Sequence, residues 1–151
     1  MFKVIISPYS RALRNGKNNP KNYPHWLELV SQMKSRGIYV IQIGVKGEEK
    51  IEGVDEMRLN LPLAELEALV KECNIWISVD NFFQHFCWLH GKFGIALFGQ
   101  SDPNIFGHKE NLNLIRDRKY LREKQFDIWE CCEYNANAFV EPYEIIAKLG
   151  K

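Results

Sequence analysis

No stretch of this chain approaches the ~20 consecutive apolar residues that a membrane-spanning helix needs, so a bilayer span is not expected. Neither sign of charge is in excess. Twenty Lys and Arg face nineteen Asp and Glu, for a formal net charge of +1. That balance argues against a nucleic-acid partner, which calls for a basic face or stripe. The four cysteines, Cys73, Cys87, Cys131 and Cys132, form no Cys-x-x-Cys. No histidine stands beside them at finger-like spacing, so a zinc site is not expected. Adjacent Cys131 and Cys132 rarely reach disulfide geometry, and all four are expected as buried or partly buried free thiols. The apolar run Val4-Ile5-Ile6 is too short for a signal peptide, which leaves a cytoplasmic location as the expectation. Internal repeats, low-complexity tracts and linker-like segments are also missing.

What is present suits one globular domain spanning residues 1–151. Apolar residues make up 46% and charged residues 26% of the chain, ordinary values for a folded protein. A chain of this length buries roughly 70% of its extended-state surface in one core.

Short apolar runs alternate with helical patterns. Residues 2–7 (FKVIIS) read as a central strand buried on both faces. A polar loop follows through residue 22, containing Gly16 and Pro20. A helix is expected over residues 24–36, with Pro24 in its first turn and Gly37 at its C-terminal cap. Its Trp26, Leu29, Val30 and Met33 recur at helical spacing. Further strands are expected at 38–43, 57–59, 75–79, 95–98 and 112–115. Further helices are expected at 62–72, 82–90 and 141–149. Residues 117–138 show no clear pattern. The alternation predicts an α/β domain with a Rossmann-like parallel sheet of five or six strands flanked by helices.

In such a sheet, ligands bind beyond the carboxyl ends of the strands where the strand order reverses, between strands one and four. That directs attention to the loop after the first strand and to Asp80-Asn81-Phe82-Phe83-Gln84-His85 after the fourth. A helix N-terminus with free N–H groups favours phosphate there. Arg11, Arg14, Lys17 and Lys21 are candidates to complete an anion site.

Residues 76–103 (WISVDNFFQHFCWLHGKFGIALFGQSDP) resemble the signature of the heptosyltransferase-like glycosyltransferases of family 9. The likeness rests on Asp80, His85, Gly91-Lys92, Leu97-Phe98-Gly99 and Ser101-Asp102-Pro103. Lys21-Asn22-Tyr23-Pro24 with Trp26 resembles the family's K-x-W-P…W element, and Gly44 to Glu48 its G-x-x-x-E element. The resemblance implies the donor-binding, C-terminal half of a two-domain GT-B enzyme. It implies a nucleotide-diphosphate sugar of ADP-sugar type as ligand. Lys21 would meet the diphosphate. Asp80, Asn81 and His85 would hold phosphate or sugar, and Glu48 the ribose. Ser10 and Arg11 join the candidate binding residues. Such groups stabilise a diphosphate leaving group without a metal, and no cofactor is expected. Possible partners are a second subunit carrying the acceptor domain and further copies of this chain.

The chain departs from the pattern at Asn81 and Phe82, which replace the small and glycine residues after the Asp, and at Phe93, which replaces a Pro. Three readings follow. The chain is a transferase or one subunit of a split one, a non-catalytic nucleotide-binding or partner-interaction module, or a remnant whose crevice is filled by Phe82 and Phe83.

Overall fold

The computed structural model describes residues 1–150. Six strands, β1 (Lys3–Ser7), β2 (Tyr39–Gly44), β3 (Glu56–Leu59), β4 (Ile75–Val79), β5 (Ile95–Phe98) and β6 (Leu112–Ile115), form one parallel sheet. Their order is β3-β2-β1-β4-β5-β6. This is the Rossmann order, and it reverses between β1 and β4. The expected sheet and its switch point are therefore present.

Side chains alternate across the strands and divide the core in two. Val4 and Ile6 face one side, with Val40, Ile77, Val79, Ile95 and Leu97. There they meet α1 (Trp26–Ser35) and α5 (Pro142–Ile146). Ile5, Ile41, Ile43, Trp76, Ala96 and Phe98 face the other side. They pack on α2 (Leu63–Glu72) and α3 (Phe82–Leu89). Both layers are apolar, which explains why the strands read as continuous apolar runs.

Local chemistry sets the ends of α1. Arg36, Gly37 and Ile38 close it in a Schellman motif, with Gly37 N–H on the Lys34 carbonyl and Ile38 N–H on the Met33 carbonyl. Gly37 adopts φ 74° there, a conformation that a side chain disfavours. Pro24 lies in the turn before the helix rather than in its first turn; His25 is the N-cap. The chain at Tyr23 is pinned instead by tertiary bonds, Tyr23 OH to the Val140 carbonyl at 2.8 Å and Trp26 Nε1 to the Pro8 carbonyl at 3.2 Å.

Two regions differ from the alternating pattern. The β2–β3 crossover has no helix. Buried Gln42 replaces it as an anchor: its Nε2 donates to the Glu49 carbonyl at 2.9 Å, and its Oε1 accepts from Ile51 N–H at 2.8 Å. Val54 then buries against the α1 side of the core. Beyond β5, Asp102 begins a short helix, α4 (Pro103–Phe106), by accepting from Asn104 N–H at 2.9 Å. The segment without sequence pattern holds three single-turn 3-10 helices. Polar clasps fold it back on the sheet: Arg118 on Asp102, and Gln125 on the Gln100 carbonyl. Cys73 and Cys87 are buried and Cys132 half-buried, as expected, but Cys131 is exposed. No helix among the described residues is long and apolar enough to cross a membrane.

Candidate functional site

A cleft of about 650 Å³ opens at the carboxyl end of the sheet, over the switch point. Ser10, Arg11, Lys21, Glu48, Asp80, Asn81 and His85 all line it. The chain brings together residues from the loops after β1, β2 and β4, because those strands are neighbours and run the same way. Arg14 and Lys17 do not line it.

Asp80 forms the floor. It directly follows β4, is almost fully buried, and its Oδ1 accepts from Gln84 Nε2 at 2.8 Å. Lys21 Nζ lies 3.3 Å from Asp80 Oδ2. That oxygen is buried and has no hydrogen-bond donor. The ammonium is near enough for a strong charge interaction but sits outside hydrogen-bonding direction, so the pair is ionic. The Lys21 ammonium also lies 5.1 Å from the centre of the Trp129 ring and 6.0 Å from that of Phe106, a cation–π setting that holds charge in a half-dry place.

Asn81, not Asp80, caps α3. Its Oδ1 accepts from Phe83 N–H and Ser78 Oγ, both at 2.9 Å. Its Nδ2 donates to Ser7 Oγ at 2.8 Å and to the Tyr9 carbonyl at 3.0 Å. All four hydrogen-bonding positions of the amide are used. Asn81 therefore staples the end of β1 to the end of β4 and leaves no side-chain hydrogen bond for a ligand. Ser10 closes the same junction, its Oγ donating to the Asp80 carbonyl at 3.2 Å.

Gly44 explains the spacing to Glu48. A Cβ at Gly44 would stand 2.2 Å from Glu48 Oε1. The carboxylate folds into that space and accepts from Val45 N–H at 2.9 Å. Burial pushes the Glu48 carboxyl above its ordinary value, partly offset by that hydrogen bond. Glu48 is thus half-buried in the cleft wall.

Arg11 is not a free cation. Its guanidinium makes a two-pronged pair with Glu130, both bonds 3.1 Å, and Arg14 N–H donates to the same carboxylate at 3.0 Å. Those contacts hold the Glu130 carboxyl down at about 2. The two side chains are separated by more than a hundred positions in sequence, and the irregular segment before Glu130 gives no periodic signal, so the pairing was invisible there. The same segment carries Trp129 into the cleft.

His85 is half-buried, and its Nδ1 lies 2.7 Å from His108 Nε2. Burial first, and then the neighbouring His108, push its pKa below the ordinary histidine value; Lys21 acts the same way and Asp80 opposes. His108 stacks on Trp88 at 4.3 Å and 10°. No sequence signal distinguished His108 from a surface histidine.

Phe82 and Phe83 do not fill the crevice. Phe83 is buried in the core beneath α3, and Phe82 stands at the cleft mouth with 61% of its surface exposed. The filled crevice that a structural remnant requires is therefore not present. No group of three or more His, Cys, Asp or Glu suited to a metal ion gathers among the described residues.

No family model matches this chain, and no curated protein sequence does. Solved structures do match. WaaC, an E. coli heptosyltransferase solved with ADP, is 19% identical over 74% of this chain and 37% of its own, with a TM-score of 0.59. The E. coli ADP-heptose LPS heptosyltransferase II is 16% identical over 84% of this chain and 42% of its own, with a TM-score of 0.62. TibC, an iron-containing dodecameric heptosyltransferase of enterotoxigenic E. coli solved with ADP-D-β-D-heptose, is 15% identical over 95% of this chain and 36% of its own, with a TM-score of 0.60. At these identities the likeness is one of fold. The chain has a Rossmann-like heptosyltransferase half-domain fold and spans about two fifths of the length of those structures.

Proposed function

We propose that the cleft binds a nucleotide diphosphate, as the donor-binding part of a glycosyltransferase that uses an ADP-sugar-like donor. One observation carries this reading: Lys21, Glu48 and Asp80, from the loops after β1, β2 and β4, and His85, from α3, converge on one open cleft at the switch point of the sheet. Structural neighbours of this fold were solved with ADP or ADP-heptose. Lys21, His85 and the N-terminal turn of α3 would face the phosphates, and Glu48 would accept from ribose hydroxyls. Ser10, Asn81 and Arg11 hold the cleft in shape: the first two close the β1–β4 junction, and the third anchors the segment that carries Trp129. The transition state gains charge on the diphosphate, and donors already aimed there lower the barrier. A cytoplasmic setting belongs to the proposal, since all four cysteines are free thiols, as reducing compartments favour. A second subunit supplying an acceptor site belongs to it too.

A second reading, a binding module without catalysis, is favoured by the state of the carboxylates. Asp80 is engaged by Lys21 and Gln84, and Glu48 by Val45 N–H. Neither is placed as a free base for an acceptor hydroxyl.

Isothermal titration with ADP, UDP, GDP and ADP-sugars tests the binding claim. Saturable binding of ADP, weakened in Glu48→Ala, is the expected result; no binding of any nucleotide removes the reading. Release of ADP from an ADP-sugar by the chain alone would reject the non-catalytic alternative.

A further inference from the structure

The cleft meets a polyanion with almost no spare positive charge. Each cation that lines it is already matched. Lys21 pairs with Asp80 at 3.3 Å, Arg11 with Glu130 at 3.1 Å and Arg58 with Glu56 at 2.8 Å. Glu48 adds a further carboxyl to the wall. A nucleotide diphosphate brings two or more negative charges, and leaving them uncompensated in a half-dry cleft is costly. The remaining source of positive charge on the cleft wall is histidine.

We infer that His85 and His108 act together as a proton-linked anion-recognition element: the cleft takes up one proton onto this pair when it binds a phosphate-bearing ligand. The inference rests on the nucleotide reading of the cleft and adds to it the charge state in which the ligand is held.

The geometry carries the step. With Nδ1 of His85 facing Nε2 of His108 at 2.7 Å, a single proton occupies the space between them. The neutral pair has two arrangements, His85 donating or His108 donating. In the first, His85 Nε2 is bare. In the second, it carries a proton and His108 Nδ1 is bare. A proton added to either arrangement reaches the same state by a shift along the shared hydrogen bond. In that state His85 is an imidazolium, its Nδ1–H donates to His108, and its Nε2–H is available to the cleft. The proton comes from solvent, and no covalent bond between heavy atoms forms or breaks.

The surroundings set the direction. His85 faces Lys21 from the first loop, Asp80 from the end of β4 and His108 from the connection to β6. Trp88, on which His108 stacks, donates to Glu110 at 2.7 Å, so His108 is held in place by α3 and lies near the Glu110 charge. Burial first, then His108 and Lys21, disfavour the charged form of His85 in the empty cleft, against the pull of Asp80. A phosphate beside Nε2 reverses that balance, because an opposite charge within a few ångströms favours the charged form. His108 then is a positioning residue: its Nε2 accepts the hydrogen bond from His85 Nδ1–H, which leaves His85 Nε2–H for the ligand.

Titration of the whole chain with ADP in PIPES, MOPS and Tris, between pH 5.5 and 8.5, tests this. The heat should vary with the buffer's ionisation enthalpy in the sense of proton uptake. ADP affinity should rise as pH falls, by up to about tenfold per pH unit where one full proton is linked. His85→Gln should abolish the buffer dependence, and His108→Gln should move the uptake profile along the pH axis. Buffer-independent heat overturns the inference while leaving ADP binding standing. Uptake that persists in His85→Gln places the proton on another group, Glu48 or the terminal phosphate of ADP, and also overturns it, as does a His108→Gln profile that superimposes on the wild type. Absence of ADP binding at every pH removes the nucleotide reading itself, and the inference with it. Histidine NMR of the ligand-free chain reports on the pair without ligand: one proton taken up jointly is expected, and two independent ordinary titrations refute it.

Discussion

Removing Lys21 and removing Asp80 should have unequal consequences, and the inequality measures how dry the cleft floor is. At 3.3 Å, two unit charges attract by about 5 kcal/mol at an effective dielectric of about 20. Part of that attraction is offset by solvation lost on burial. The Lys21 side chain keeps 19% of its exposure and Asp80 only 5%. Lys21→Met therefore strands a buried carboxylate that retains one donor, Gln84 Nε2, and should destabilise the chain by about 3 kcal/mol. Asp80→Asn frees an ammonium that still has water and the Trp129 face, and should lose only about 1 kcal/mol. The double variant Lys21→Met/Asp80→Asn should lose only about 2 kcal/mol, against about 4 for independent sites, giving a coupling of about 2 kcal/mol. Urea unfolding of the four proteins at neutral pH supplies the cycle. Equal single losses with a coupling below about 0.5 kcal/mol would place the pair in solvent and refute the dry floor on which the phosphate argument depends.

Asn81→Ala removes a helix cap and two interstrand staples at once and should lose about 3 kcal/mol; Asn81→Asp keeps the cap and should lose about half of that in the same unfolding assay. Gly44→Ala drives a methyl toward Glu48 Oε1, and the half-exposed carboxylate can swing away. The urea midpoint should change little while ADP affinity drops about tenfold, about 1.4 kcal/mol; unchanged affinity would remove Glu48 from the ligand. Acid unfolding reports on Arg11 and Glu130. The Glu130 carboxyl sits at about 2 against an ordinary 4.5, so its contribution is present above pH 4.5 and fades as pH falls toward 2. Arg11→Ala should remove the largest share of that pH-dependent part and leave the share due to backbone N–H donors such as Arg14, which acid titrations followed by circular dichroism detect. Glu48 has the opposite sign. Its raised carboxyl disfavours the folded state as pH rises above its ordinary value, so Glu48→Gln should raise the urea midpoint at pH 7 and lose that advantage at pH 4.

The features that were legible in the chain are those set by local periodicity. Ile75–Val79 and Ile95–Phe98 begin and end where the apolar runs do, because central strands buried on both faces are largely apolar. Gly37 marked the end of α1 because few other residues adopt its φ. Asp80 was legible as a strand-end residue, but its role was not. An Asp followed by an Asn at a helix start offers two possible caps, and only the bond from Phe83 N–H to Asn81 decides between them. α4 was missed because a four-residue helix carries no periodicity.

The sequence alone determined the element order, the parallel Rossmann sheet and the loops that meet at its switch point, since these follow from strand and helix periods and from right-handed crossovers. The tertiary structure alone decided which charges those loops bring with partners attached. Lys21 meets Asp80, Arg11 meets Glu130, and His85 meets His108. Each pairing joins residues from separate connections whose paths are set by packing on the sheet. A charge written in the chain becomes free or neutralised only when the distant segment that faces it has folded into place.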